Sequence, residues 1–360
     1  HVMIKSQAID DLFKTAHTLV RHLPGGLGVA TVLSCTVFAA ISGSSVATAL
    51  TIGSTAIPQM KKFGYKLRDT YGVVAAGGTL GILIPPSGPL ILYGVVSETS
   101  IGALFIAGLL PGLLLAFVFA LYCVLTNLNT KGSKKQERAG ITEIVRSLKK
   151  SFWALLLPPI VLGGMYFGIF TATEAAGVGA IAALLIATLV YKNFSWQDLF
   201  DSAKETTQLT AMLFMILASA AIFGHVLTVM GLPSELVATV TQAGVGSIAF
   251  ILLTMGVIFI LGMFLETIAI ILVTTPIILP VLESLSINPV WYGILLMINL
   301  ELALITPPVG MNLFVIKGIA KAPMEDIIFG ILPYVLLMLL GLIVVLIFPQ
   351  LALWLPTTMG

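Results

Sequence analysis

The sequence predicts an all-α polytopic membrane protein of two inverted-topology repeats, each with a re-entrant helical hairpin and a proline-broken transmembrane helix. The 360 residues are 58% hydrophobic and only 9% charged, with a mean hydropathy of +1.08. A soluble domain carries about 25% charged residues, so this chain cannot keep a water-facing surface. Two further observations support the prediction: prolines recur at one fixed spacing, and cations are confined to particular loops.

The prolines of the first half recur 222 positions later in the second half. The matching pairs are Pro58 and Pro280, Pro85 and Pro307, Pro86 and Pro308, and Pro111 and Pro333. Ala47 and Ala269 have the same spacing, as do Gly88 and Gly310. The second half is therefore a diverged copy of the first. In so apolar a chain, paired proline-broken segments in corresponding halves indicate the binding site of a transporter.

Several segments are long and apolar enough to cross a bilayer, which takes about 20 residues. We predict spans at 101–125, 151–170, 173–191, 207–229 and 327–348. Shorter apolar runs surround two polar tips, at 42–45 and 262–267, and predict re-entrant hairpins at 27–58 and 245–283. Two further segments are interrupted by proline pairs, which should open the helix. These broken helices are predicted at 70–97 and 290–320.

The basic residues orient these elements. All 18 Lys and Arg fall in the segments 1–24, 59–69, 126–150, 192–206 and 317–326. By the positive-inside rule these segments are cytoplasmic. The first hairpin then enters from the cytoplasm and the second from outside, which makes the repeats inverted.

The same count gives a domain layout. We predict a cytoplasmic interfacial helix at 1–24, first-repeat transport elements at 25–125, a basic cytoplasmic loop at 126–150, scaffold helices at 151–229 with an interfacial helix at 195–206, second-repeat transport elements at 230–348 and an external C-terminal tail at 349–360. Shifting the scaffold helices by 222 positions places their counterparts before residue 8. We therefore expect about seventy further residues of membrane helices ahead of this chain.

The tips and breaks are the candidate site. Main-chain groups released from helical geometry inside a membrane are costly unless they line a cavity or bind a ligand. Hydroxyl, amide and carbonyl oxygens suit a hard cation such as Na⁺. One cation site per repeat is predicted, with ligands from Gly43, Ser45, Pro85 and Ser87 in the first, and Glu266, Thr306, Pro307, Val309 and Gly310 in the second. An anionic substrate is predicted between the tips, at Ser44, Ser45, Ser87, Thr267 and Asn312.

Other interpretations of these residues remain open. Serine and glycine in membrane helices often serve packing alone. Glu266 and Glu301 are predicted at membrane depth, where a carboxylate is functional by default. Each could be a ligand, a proton carrier or a hydrogen-bonded strut; a strut is favoured for Glu301, which aligns with Thr79. The sequence contains no nucleotide-binding loop, metal-ligand cluster or nucleophile triad, so an enzyme is not predicted.

Several motifs, in order along nearly the whole chain, resemble the large membrane subunit of tripartite ATP-independent periplasmic (TRAP) transporters. They are Ile41-Ser42-Gly43-Ser44-Ser45-Val46-Ala47-Thr48-Ala49, Lys62-Phe63-Gly64-Tyr65, Gly81-Ile82-Leu83-Ile84-Pro85-Pro86-Ser87, Ala107-Gly108-Leu109-Leu110-Pro111-Gly112, and Asn299-Leu300-Glu301 through Thr306-Pro307-Pro308-Val309-Gly310-Met311-Asn312.

The resemblance implies a sodium-coupled elevator-type importer of organic acids, such as C4-dicarboxylates or sialic acid, in the bacterial inner membrane. Such a subunit works with a small membrane subunit and a periplasmic substrate-binding protein, and with no nucleic acid. The resemblance also implies two Na⁺ sites at the tips and broken helices. Two alternatives remain: a proton-coupled carboxylate transporter that uses Glu266, and a passive anion channel.

Overall fold

The computed structural model describes residues 1–6, 8–128 and 137–358, and their regular structure is entirely helical, which confirms the predicted class. The helices are α1 (Val2–Lys5), α2 (Ala8–Val20), α3 (Gly26–Ser42), α4 (Ser45–Lys62), α5 (Leu67–Leu83), α6 (Gly88–Val96), α7 (Ile101–Asn127), α8 (Ile141–Tyr166), α9 (Ala172–Leu185, continued by a π-helical turn, Ile186–Tyr191), α10 (Trp196–Val229), α11 (Leu232–Gln242), α12 (Ser247–Gly262), α13 (Thr267–Ser284), α14 (Pro289–Leu304), α15 (Met311–Ala320), α16 (Met324–Ile347) and α17 (Gln350–Thr357).

Six helical segments among the described residues are long and apolar enough to cross a membrane. They are Leu67–Val96, Ile101–Asn127, Ala172–Tyr191, Trp196–Val229, Thr267–Ser284 and Met324–Ile347. The shorter apolar helices include α3, α12, α14 and α15, which belong to the hairpins and the broken helices.

The two repeats agree in element bounds as well as in sequence. Helices α4 and α13 both begin and end 222 positions apart, and so do the starts of α5 and α14. Each repeat therefore contains a hairpin (α3–α4 or α12–α13), a broken helix (α5–α6 or α14–α15) and a long final helix (α7 or α16).

The two repeats interlock through their hairpins. Helix α4 of the first hairpin packs against α15, and α13 of the second hairpin packs against α6. Each hairpin arm thus lies beside the second half of the other repeat's broken helix. The first halves form the centre of the protein: every residue from Thr70 to Leu83 of α5 and from Trp291 to Leu304 of α14 is buried. Helices that are apolar on all sides are typical of such a buried position.

Helices α8, α9 and α10 lie beside this interlocked core. The structure has one continuous helix, Trp196–Val229, where the sequence suggested an interfacial helix at 195–206 followed by a span at 207–229. The physical reason is that no Gly or Pro separates the two stretches, so nothing interrupts the backbone hydrogen bonds. Trp196 is 84% exposed, as expected for a side chain that faces lipid.

The chain termini also differ from simple tails. Helix α2 packs against both α3 and α8, and so bridges the hairpin and the adjacent helices. Gln350–Thr357 of the predicted tail is a helix that packs against α7, with Ala352 fully buried. Part of the predicted basic loop 126–150, at 129–136, lies outside the described residues.

Ion pairs connect the loops that carry the basic residues. Arg21 pairs with Glu143 at 2.7 Å, Arg68 with Asp326 at 2.8 Å, and Lys5 with Glu205 at 3.5 Å. These contacts join segment 1–24 to 126–150 and 192–206, and segment 59–69 to 317–326. Within each group the loops must lie on the same side of the protein, in agreement with the crossing count made from the sequence.

Candidate functional site

The first tip, residues 42–45, turns at a glycine. Helix α3 ends at Ser42, and Gly43 adopts φ +62° while its N–H donates to the Ala39 carbonyl at 2.9 Å. Glycine tolerates this left-handed conformation at little cost. Ser44 then starts α4, because its hydroxyl accepts the Ala47 N–H at 3.4 Å. The hairpin therefore reverses within two residues.

The first break, residues 84–88, meets this tip. Ser87 is fully buried and caps α6 by accepting the Leu90 N–H at 3.4 Å. The Gly88 N–H donates to the Gly43 carbonyl at 3.4 Å. A Cβ atom on Gly43 would lie 2.6 Å from the Pro86 carbonyl oxygen. Tip and break are thus in direct main-chain contact inside the first repeat.

The second tip (262–267) and second break (305–310) repeat this arrangement. The Gly310 N–H donates to the Met263 carbonyl at 3.4 Å, and Gly310 has φ +57°. Glu266 caps α13 in the same way that Ser44 caps α4: its Oε2 accepts the Ile268 N–H at 2.8 Å and the Ala269 N–H at 3.3 Å. The same kind of main-chain contact therefore joins tip and break in both repeats.

A polar contact also crosses between the repeats. The Asn312 Nδ2 lies 3.5 Å from the Ser45 Oγ, and both residues are buried. Ser45 begins α4 and Asn312 lies in the first turn of α15, so two helix N-termini meet here. Helix N-termini carry partial positive charge and favour anions.

The structure brings many of the predicted site residues together. Gly43 touches the first break, Ser45 touches Asn312, and Gly310 touches the second tip. Ser44 packs against Gly81 of α5. At the second break the Thr306 hydroxyl donates to the Leu302 carbonyl at 2.6 Å, and Val309 is 38% exposed. The assignment of these residues to Na⁺ or to substrate stays a prediction.

Three contributors were not predicted from the sequence. Gly88 donates the main-chain bond to the first tip, Met263 supplies the carbonyl for Gly310, and Gly81 packs so closely that a Cβ there would lie 2.5 Å from the Ser44 carbonyl oxygen. The pairing of Gly88 with Gly310 at the common spacing was a usable signal for the first of them. A main-chain carbonyl such as that of Met263 leaves no mark on the side-chain sequence.

The donor atoms of the two tips and breaks define their chemistry. Among residues 1–6, 8–128 and 137–358, no group of three or more His, Cys, Asp or Glu side chains could hold a metal ion. Hydroxyl, amide and carbonyl oxygens are present, including the buried Asn312 Oδ1, for which the described residues provide no hydrogen-bond partner. Such oxygens are ligands for hard cations rather than for soft transition metals.

An apolar cavity lies beside the first tip. Its volume is about 760 Å³. Ala40, Ile41 and Pro86 line it from the first repeat, and Met165 and Ala176 line it from α8 and α9. The interlocked core is therefore separated from part of the neighbouring helices by open space.

Comparison with known proteins decides the family. A sequence model of the tripartite ATP-independent periplasmic transporter DctM component matches residues 1–351. The chain belongs to this family. The resemblance seen in its motifs is thereby confirmed. It is a membrane-spanning TRAP large permease, and its relatives are transporter permeases rather than enzymes. The family works with a substrate-binding protein and a small membrane subunit.

Individual relatives agree with this assignment. The C4-dicarboxylate TRAP transporter large permease protein DctM of Pseudomonas aeruginosa is 41% identical over 349 residues, covering 97% of this chain and 82% of that protein. The sialic acid TRAP transporter large permease protein SiaM of Vibrio cholerae is 34% identical over 358 residues, covering 99% of this chain and 83% of that protein.

A solved structure shares the fold. The crystal structure of the Alcanivorax borkumensis YdaH transporter, described as having an unusual topology, matches with a TM-score of 0.68 and 15% identity. The match covers 99% of this chain and 84% of that chain. At this identity the similarity concerns fold alone.

Proposed function

We propose that this permease imports an organic acid anion together with Na⁺, by moving its interlocked hairpin unit against the helices α8–α10. A periplasmic binding protein delivers the substrate, and a small membrane subunit completes the transporter. The observation that carries the proposal is the pair of tip-and-break contacts, Gly88 to Gly43 and Gly310 to Met263. Each concentrates oxygen ligands and irregular backbone at membrane depth, where these are tolerated only around a cavity or ligand.

An anionic substrate is supported by the helix N-termini at the site. The N-termini of α4 and α15 meet at Ser45 and Asn312. The segments 42–45, 84–88, 262–267 and 305–310 contain no Lys or Arg. Helix dipoles, hydroxyls and bound Na⁺ must then neutralise the anion. The relatives from Pseudomonas aeruginosa and Vibrio cholerae are named for C4-dicarboxylates and sialic acid, which both carry carboxylates.

An elevator movement is supported by the apolar cavity and by α2. The cavity of about 760 Å³ lies between the first tip and the adjacent helices, so this interface is not tightly packed. Tight packing would resist sliding. Helix α2 contacts both α3 and α8, a position suited to a connecting arm.

The membrane and orientation follow from the charge distribution. We place the protein in the bacterial inner membrane with its basic loops in the cytoplasm. The ion pairs Arg21–Glu143 and Arg68–Asp326 support the shared side of these loops.

Sodium coupling is tested in proteoliposomes that contain the permease, the small membrane subunit and the binding protein. We expect uptake of the organic acid to require an inward Na⁺ gradient, to saturate, and to show exchange of labelled for unlabelled substrate. Uptake that persists without Na⁺ and follows a pH gradient would contradict sodium coupling. Non-saturable conductance would indicate a passive anion channel.

The alternative of proton coupling rests on Glu266, because it is a carboxylate on a tip. Its side chain caps α13, a role that a glutamine amide oxygen can also fill. We expect Glu266→Gln to keep the uptake rate within about twofold of wild type. Glu266→Ala removes the cap of α13, which costs about 1 kcal/mol of helix stability, and should lower the uptake rate. Both are measured as initial uptake rates in a Na⁺ gradient. Loss of uptake in Glu266→Gln, with Glu266→Ala equally inactive, would show that the carboxylate itself is needed, as a Na⁺ ligand or as a proton carrier. Wild-type uptake that follows a pH gradient without Na⁺ would then identify the proton carrier.

A further inference from the structure

We propose that Glu301 and Asn312, both in the second repeat, are positioning residues that set the cation affinity of the first tip and break. The proposal rests on the sodium coupling proposed above and deepens it by naming the residues that connect the two cation sites. Two polar contacts that cross between the repeats and an asymmetry between the repeats carry it.

Glu301 holds the end of the first half-helix of the other repeat. The side chain is buried, and its Oε1 accepts the Ile82 N–H at 3.1 Å. Ile82 follows Gly81, which packs against the Ser44 carbonyl. Glu301 therefore fixes the backbone of α5 at the point where α5 supports the first tip.

Asn312 makes the second contact, at the first residue of α4. Its Nδ2 reaches the Ser45 Oγ, and Ser45 is a predicted ligand of the first cation site. Both side chains are almost completely buried, so the contact is shielded from water. The second repeat thus contacts the first tip directly at Ser45, and it contacts Ile82, next to the Gly81 that packs against Ser44.

The first repeat does not return these contacts. The counterparts of Glu301 and Asn312 at the common spacing are Thr79 and Leu90. The Thr79 hydroxyl donates to the Ala76 carbonyl of its own helix at 2.6 Å and reaches the second repeat only at the Met338 Sδ of α16, 3.7 Å away, among the described residues; Leu90 has an apolar side chain. The second tip is capped from within by Glu266. Among the described residues, the side-chain hydrogen bonds that support the first tip therefore come from both repeats, and those at the second tip come from its own Glu266.

This asymmetry couples the two predicted cation sites. Glu301 and Asn312 lie on α14 and α15, which flank the second break. A cation that orders the second break would also order these two side chains and so favour binding at the first tip. Such coupling is reciprocal and appears as positive cooperativity.

Glu301 can act through an oxygen that accepts a hydrogen bond or through its negative charge, and a substitution separates the two roles. Its Oε2 is buried and has no hydrogen-bond partner in the described part of the chain. A glutamine keeps an oxygen that can accept the Ile82 N–H, whereas leucine removes it. If the oxygen positions α5, glutamine suffices; if the carboxylate binds Na⁺ or carries a proton, glutamine fails.

The experiment titrates Na⁺ at saturating substrate, with the permease, its small subunit and the binding protein in proteoliposomes. We expect Glu301→Leu to raise the half-saturating Na⁺ concentration about tenfold, as loss of one buried hydrogen bond predicts. Glu301→Gln should keep the half-saturating Na⁺ concentration within about twofold of wild type. The matched control is Thr79→Val, at the equivalent position of the first repeat. This variant should leave the half-saturating Na⁺ concentration unchanged.

Asn312→Leu gives the second repeat the residue that the first repeat has at this position. We expect about a tenfold rise in half-saturating Na⁺ and a Hill coefficient that falls towards that of a single site. A second readout is the Na⁺-dependent rise in melting temperature of the purified permease in detergent, which should require more Na⁺ in both Glu301→Leu and Asn312→Leu.

Three results would overturn the inference. Unchanged Na⁺ dependence in Glu301→Leu and Asn312→Leu, with only a lower maximal rate, would leave the two residues as general struts. Equal failure of Glu301→Gln and Glu301→Leu would assign the carboxylate itself to ligation or proton transfer. If neither the uptake rate nor the melting temperature of the wild type depends on Na⁺, the sodium coupling and the inference are both overturned.

Discussion

Uptake by the Gly43→Ala variant is expected to fall to background. Gly43 has φ +62°, a conformation that L-residues adopt only with strain. A Cβ atom there would also lie 2.6 Å from the Pro86 carbonyl oxygen, which belongs to the backbone of the break. The alanine must therefore push the first tip away from the first break. Because this contact forms the predicted first cation site, the variant should lose Na⁺-driven uptake while the protein still inserts and folds.

Gly64→Ala is the matched control for Gly43→Ala. Gly64 has φ +76°, so alanine meets comparable backbone strain, but apart from its chain neighbours no atom of residues 1–6, 8–128 and 137–358 lies within 4 Å of its Cβ position. We expect Gly64→Ala to keep most uptake and to lose about 1 kcal/mol of stability at most. The two variants are compared by their initial uptake rates in proteoliposomes, normalised to the amount of folded permease. Equal uptake by both variants would show that the tip-and-break contact is dispensable.

Gly72→Ala should lower the melting temperature of the permease. Gly72 of α5 faces Gly330 of α16, and a Cβ atom on either glycine would overlap a backbone carbonyl of the other helix. Close approach through small residues is a main source of helix association in membranes. Alanine at position 72 must separate two helices at the centre of the protein, at a cost of about 1–3 kcal/mol.

The control for Gly72→Ala is Gly256→Ala on α12. Gly256 also lies inside a helix, but its Cβ position is open. There alanine should be neutral or stabilising, by about 0.5–1 kcal/mol. Melting of the purified proteins in one detergent, followed by tryptophan fluorescence or by loss of the monodisperse peak, separates them. A melting temperature for Gly72→Ala equal to that of Gly256→Ala would contradict the close α5–α16 packing.

Much of the fold could be predicted from local chemistry. Proline and glycine act on the backbone within a few residues, so the repeated Pro85-Pro86 and Pro307-Pro308 pairs identified the breaks and the spacing of the repeats. The structure confirmed this spacing in the bounds of α4 and α13. Hydropathy and the positions of Lys and Arg likewise predicted the membrane spans and loops, because each segment can be assessed without knowing what it packs against.

Two features of the helices could not be predicted from the sequence: the continuity of one long helix and the packing of the last one. The continuous helix Trp196–Val229 was divided in the sequence analysis because polar residues at its start suggested a separate interfacial element. Helix geometry depends on backbone breakers and not on a change in polarity. Helix α17 was likewise expected as a tail, and its packing against α7 provides the stability that its short sequence lacks.

By itself, the sequence determined the membrane location of this protein, its duplicated architecture and the residues of the two tips and breaks, because each depends on composition or on local backbone chemistry. Only the tertiary structure decided which of those residues meet. The contacts of Glu301 with Ile82 and of Asn312 with Ser45 join positions more than 200 residues apart. They depend on how the hairpin of one repeat packs against the broken helix of the other, and no local pattern encodes that packing.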